Sequence, residues 1–158
     1  MEDQRTHAAE ATFRRISDLI QEADQMDPTN PTTIHAVIME GDGRWESWIG
    51  PNRFAGEEND LIVQYSRLKA EISLRTGKSV YDVLHNDQSL LLPHEQELRS
   101  NRASHKLHAG GVPILLNTGV ILGSIGIAGA GRGLDCFCAK LGASEYRRVR
   151  ESLSCKAA

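Results

Sequence analysis

Two histidines, His105 and His108, stand just before the pair Gly110-Gly111. On a helical turn that three-residue spacing puts both imidazoles on one side, as a metal or a haem iron would need. Arg102 and Lys106 flank them and suit propionates or an acidic substrate. A solvated basic loop is the plain alternative, because two histidines alone do not make a site. Lys69 is the second candidate. Buried, its ammonium would give up its proton more easily and act as a base or a Schiff-base amine. More often such a lysine lays its stem over the core and reaches solvent, or pairs with a carboxylate, and Asp135 is available. The pairing is the expectation, since burial without a partner is costly. His35 falls on a strand, opposite in direction to Ile34 and Ala36, and reads either as a satisfied inner histidine or as one facing an open pocket, while His85 and His94 read as surface residues.

Gly129-Ala130-Gly131-Arg132-Gly133 lies between a strand and a helix, which invites a phosphate-loop reading. A dinucleotide fold needs a parallel strand after that helix, and the residues after Asp135 read as helical. No Gly-Lys-Ser/Thr closes this loop. A tight turn is therefore the default, with amides near Gly129 left for a ligand carbonyl or carboxylate. Gly123 and Gly126 inside a strand let something approach the backbone closely, most simply a packed helix. Cys136 and Cys138 would not share a helical face, so they read as small buried thiols. No Ser-His-Asp spacing, nucleophile elbow or carboxylate pair stands out.

These residues need elements to position them. Residues 7–23 carry Ala9, Phe13, Ile16 and Ile20 at helical spacing. Residues 33–39 alternate as a strand, Gly41-Asp42-Gly43 is a hairpin turn, and residues 44–49 return. A longer helix is expected over 57–75, with Leu61, Tyr65, Leu68 and Ile72 on one face and Gly77 as its C-cap. Ser79 caps a short helix to about residue 85, with further helical turns over 95–102. A second hairpin spans 112–128 and turns at Asn117-Thr118-Gly119. Two helices, 134–141 and 143–153, close the chain. The expected class is α+β: an antiparallel sheet of 4–5 strands from two hairpins, in the order α-β-β-α-α-β-β-α. Helices are expected mainly on one face, leaving the other for ligand or self-association. One domain fills residues 1–158, with its core over about 7–153.

That order and the second hairpin resemble the GlcG/HbpS family of haem-binding and haem-degrading-type domains, also found at the C-terminus of PduO-type cobalamin proteins. Gly110, Gly111, Pro113 and Ile114 match its Gly-Gly-x-Pro-Ile/Val strand. Gly123, Gly126 and Gly129 match the following strand, and Asp135, Ala139 and Lys140 the helix after it. Lys69-Ala70 looks like the Lys-Ala of the family's central helix. Ala128 replaces a usual serine, and the typical Arg-x-Asp after the second strand is missing, with Arg53 nearest. The resemblance implies a profilin-like fold, a homo-oligomer, and haem or a related flat cofactor. His105 or His108 would then be the axial ligand and Arg102 a propionate partner, beside Gly110, Gly111 and Gly129.

Bulk properties narrow the field. A net charge of −3 with interspersed signs argues against nucleic acid as a partner. No apolar run approaches a membrane span, and the polar start is unlike a signal peptide. Three cysteines do not form a secreted framework, so a cytoplasmic location is expected. Three functions stay open. The first is binding of haem or another flat small-molecule ligand. The second is a cofactor-free enzyme, an isomerase, cyclase or lyase on a carbonyl compound, with Lys69 or His108 moving the proton. The third is a ligand-free interaction module.

Overall fold

The computed structural model describes residues 2–29, 31–51, 57–99 and 107–157. Helix α1 (Glu2–Met26) buries Ala9, Phe13, Ile16 and Ile20, the stripe read from the sequence. It is longer than the expected 7–23. Its first turns are anchored by Arg5, which reaches Glu40 at 3.1 Å and Asp42 at 2.8 Å. Strands β1 (Thr33–Glu40) and β2 (Trp45–Pro51) pair antiparallel, with Met39 opposite Trp45 and Thr33 opposite Pro51. The turn between them uses Gly43 at φ 86° and an Asp42 carboxylate that accepts the Arg44 N–H.

Helix α2 (Glu57–Thr76) ends at Gly77, whose φ of 70° is the left-handed value a C-cap needs. Helix α3 (Val80–Asn86) starts on Ser79, whose hydroxyl accepts the Asp82 N–H at 3.1 Å. A short 3-10 turn (Gln88–Leu90) and α4 (Pro93–Arg99) lead on to β3 (Gly111–Leu115) and β4 (Ile121–Ala128). Helix α5 (Arg132–Ala157) completes the chain. The sheet has four strands in the order β2-β1-β4-β3, and every neighbouring pair is antiparallel. Class, strand number and element order are those expected.

Two details differ. The last helix is continuous rather than split near residue 142. A Cβ on Gly142 would sit 2.7 Å from the Ile125 Cδ1 and 2.9 Å from the Ile16 Cδ1. The glycine is there to let α5 lie close to β4 and α1, and it does not stop the helix. The helices are also spread over both sheet faces. Ile34, Ala36, Ile38, Ile125 and Ile127 pack with α1 and α5 on one side. Val37 and Met39 pack with Ala70 of α2 on the other. All eight residues of β1 are buried, which no one-sided sheet would allow. The open face expected for a ligand or for assembly is occupied by α2.

Candidate functional site

Helix α2 carries a polar row on its sheet-facing side: Ser66, Lys69 and Ser73, each at most 3% exposed. Three- and four-residue steps place them on one face. They meet the strand glycines. A Cβ on Gly126 would collide with the Ser66 carbonyl, and one on Gly111 would lie 2.5 Å from the Lys69 carbonyl. The helix therefore rests directly on sheet backbone, and the close approach foreseen at Gly126 is made by α2.

Lys69 reaches the end of the sheet where β4 stops and β3 begins. Its Nζ donates to the Ile127 carbonyl at 2.7 Å and to Asp135 Oδ2 at 3.3 Å. Asp135 Oδ1 accepts the Ala130 N–H at 2.9 Å. Gly110, at φ 134°, lies against the pair, since a Cβ there would be 3.0 Å from the Lys69 Nζ and 2.6 Å from the Ile127 carbonyl. Its own carbonyl accepts the Ile127 N–H at 2.7 Å. The pair thus ties α2, β4, the start of β3 and the first turn of α5 to one point. Burial draws Lys69 below the usual lysine range, and the Asp135 charge opposes that shift. Burial likewise raises Asp135, against the pull of Lys69 and of the Gly129 and Ala130 amides. Lys69 is paired as expected, and the amides near Gly129 are directed at Asp135.

His108 is half-buried at the entrance to β3, two residues before Gly110, and is engaged in an interaction of its own. His105 and Arg102, with Lys106 and Arg53, lie outside the described residues. His85 and His94 are exposed. The Cys138 thiol is buried and pushed up to about 12, while Cys136 is half-buried beside the Lys69–Asp135 pair. Among the described residues, no three His, Cys, Asp or Glu side chains gather as a metal cage.

Two buried clusters hold partners that were not singled out from sequence. His35 is 3% exposed, and its Nδ1 bonds to Ser66 Oγ. That hydroxyl has one hydrogen and gives it to the Val63 carbonyl at 2.9 Å. The network therefore assigns the imidazole hydrogen to Nδ1. Burial and the nearby Arg67 lower the His35 pKa to about 4, so the ring is neutral. The second cluster centres on Glu40, which accepts the Tyr146 hydroxyl at 2.5 Å and lies 3.2 Å from Arg150 Nε and 3.1 Å from Arg5 Nε. Extending the β1 alternation by one residue puts Glu40 in phase with Ile34, Ala36 and Ile38, pointing inward. That phase was the available signal.

No family model matches this chain, and no curated protein does. Solved structures match along nearly all of it. Protein ORFY of Klebsiella pneumoniae aligns at a TM-score of 0.62 and 15% identity, covering 89% of this chain and 88% of that one. PduOC, solved as a haem complex, aligns at 0.56 and 17%, covering 90% and 89%. A double mutant of HbpS from Streptomyces reticuli aligns at 0.57 and 21%, covering 91% and 84%. At such identities the likeness is one of fold alone.

Proposed function

We propose that this chain is a binding domain for a planar, acidic small molecule of the haem class. The site would be the sheet end where β4 leaves and β3 enters. The observation that supports this most is the shared fold with PduOC, whose solved structure is a haem complex, over nine tenths of both chains. His108 adds to it, as a half-buried imidazole next to a backbone locked by Lys69 and Asp135. A haem group would ask little of these residues. The tetrapyrrole brings its own nitrogens, so a protein metal cage is not required and one imidazole suffices. Haem, when bound, supplies an iron for an axial ligand and propionates for a cation.

This chain's own part is positional. The Lys69–Asp135 pair packs against Gly110 and accepts the Ala130 N–H, which holds the backbone that leads from His108 into β3. On their spacing, His105 is proposed as a second imidazole and Arg102 as the propionate partner. A homo-oligomer in the cytoplasm remains the proposed setting. The cofactor-free enzyme gains less support. The Lys69 ammonium and the Ala130 amide already bond to groups within the fold. The test is a haemin titration of the wild type and of a His105→Ala/His108→Ala variant. Saturable uptake that weakens at least tenfold in the variant is expected. Equal affinity in both would remove the histidine assignment.

A further inference from the structure

The two edges of the sheet are built differently. On the β3 edge, the Gly110 carbonyl accepts the Ile127 N–H. Bonded and non-bonded positions alternate along an antiparallel strand. Pro113 therefore presents its ring nitrogen outward, in the middle of that edge. It has no N–H to offer, a common way of blocking an edge against added strands.

Among the described residues, no strand pairs with the outer edge of β2. Glu40 donates to the Arg44 carbonyl at 2.9 Å, which sets the phase of the β1–β2 ladder. Arg44, Glu46, Trp48 and Gly50 face β1 with their backbone groups, and Trp45, Ser47 and Ile49 turn theirs outward. Pro51 is the next outward position and ends the run. The same three residues carry their side chains on the α2 side of the sheet, beside Met39, Val37 and His35. Trp45 is 47% exposed and Ile49 37%. The Arg67 guanidinium lies over the Trp45 ring, 4.8 Å from its centre.

We propose that the β2 edge is a two-fold interface with a second copy of this chain, the two β2 strands pairing antiparallel about Ser47. In that register Trp45 of each copy lies opposite Ile49 of the other. Every outward N–H of Trp45, Ser47 and Ile49 then meets an outward carbonyl, and Pro51 falls beyond the ladder. Charge and proline exclude the adjacent registers. Centring on Glu46 sets two Glu46 carboxylates directly opposite, which is destabilising. Centring on Trp48 brings Pro51 into the ladder without an N–H. In the Ser47-centred pair, Glu46 faces Trp48 of the other copy. Each Trp45 ring is covered by Arg67 on one side and Ile49 of the other copy beside it. The result is one continuous eight-stranded sheet. This interface does not depend on any ligand.

Sedimentation equilibrium of the full chain, from about 1 to 100 µM, reads it directly. The wild type is expected at twice the mass of one chain. Ser47→Pro and Ile49→Lys are expected to weaken the dimer at least tenfold with unchanged far-UV circular dichroism. Ile49 is already partly exposed, so its replacement spares the core. Amide exchange of the unmodified protein gives an independent reading. The Trp45, Ser47 and Ile49 amides should slow as concentration rises. A wild type of single-chain mass throughout, or folded variants that dimerise as well as the wild type, would overturn the interface.

Discussion

Lys69 and Asp135 form the buried pair at the centre of the candidate site, and their burial makes a firm demand on stability. Removing one member of a buried pair leaves the other charge without compensation, at a cost of about 3–5 kcal/mol. Lys69→Met is expected to destabilise by that order in urea unfolding, while Lys69→Met/Asp135→Leu costs less than the two single changes together. A single-variant loss under about 1 kcal/mol would mean the pair is not the clamp described here. His35 makes a demand on pH. Its folded pKa, about 4, lies below the ordinary 6.5, so the unfolded chain binds the proton more readily. Its stabilising contribution is complete above pH 6.5 and is lost as pH falls towards about 4. The loss should be about 2 kcal/mol, after allowance for solvent screening of Arg67. In urea titrations across that range, His35→Gln should remove this part of the slope. This is also where sequence legibility ran out. Lys69 was readable as the partner of Asp135, because a lysine among apolar helix positions either reaches solvent along its stem or pairs with a carboxylate, and burial without a partner is costly. Ser66 as the partner of His35 was not, since that contact depends on which strand α2 covers.

At the scale of elements, glycines separate backbone approach from side-chain packing. A Cβ on Gly126 would run into the Ser66 carbonyl and the Ala70 amide of α2, and backbone cannot step aside. Gly126→Ala is expected to cost about 2–3 kcal/mol through this overpacking. A Cβ on Gly142 would meet the Cδ1 ends of Ile125 and Ile16, which can rotate away. Gly142→Ala also gains about 1 kcal/mol of helix propensity, so its net effect should be close to neutral. Thermal unfolding of both variants checks the contrast, and equal losses would contradict it. Most elements were legible. The hairpin turn at Gly43, the Gly77 cap and the Ser79 cap are local chemistry, and local chemistry is written in adjacent residues. The break expected near Gly142 was wrong because a glycine that ends a helix and one that lets a helix pack close look alike in one sequence. The same limit hid the second layer of helices. Alternation in β1 shows two sets of residues, and here both sets are apolar enough to be buried.

The whole molecule is a sheet clasped from both sides and fastened at two ends. Lys69–Asp135 fastens the end where β3 begins. Glu40 fastens the other, joining α1 through Arg5 and α5 through Arg150 and Tyr146. Glu40→Gln keeps the shape and removes the charge, and it is expected to destabilise by about 2 kcal/mol. It should do so without altering ligand binding, because the two fastenings lie at opposite ends of β1. The central claim is that the Lys69–Asp135 end holds a planar acidic ligand of the haem class. Its most direct test is the visible spectrum of the purified wild type during titration with haemin. A sharp Soret band that saturates at one haem per chain is the predicted result. A featureless spectrum with weak, unsaturable uptake would contradict the claim.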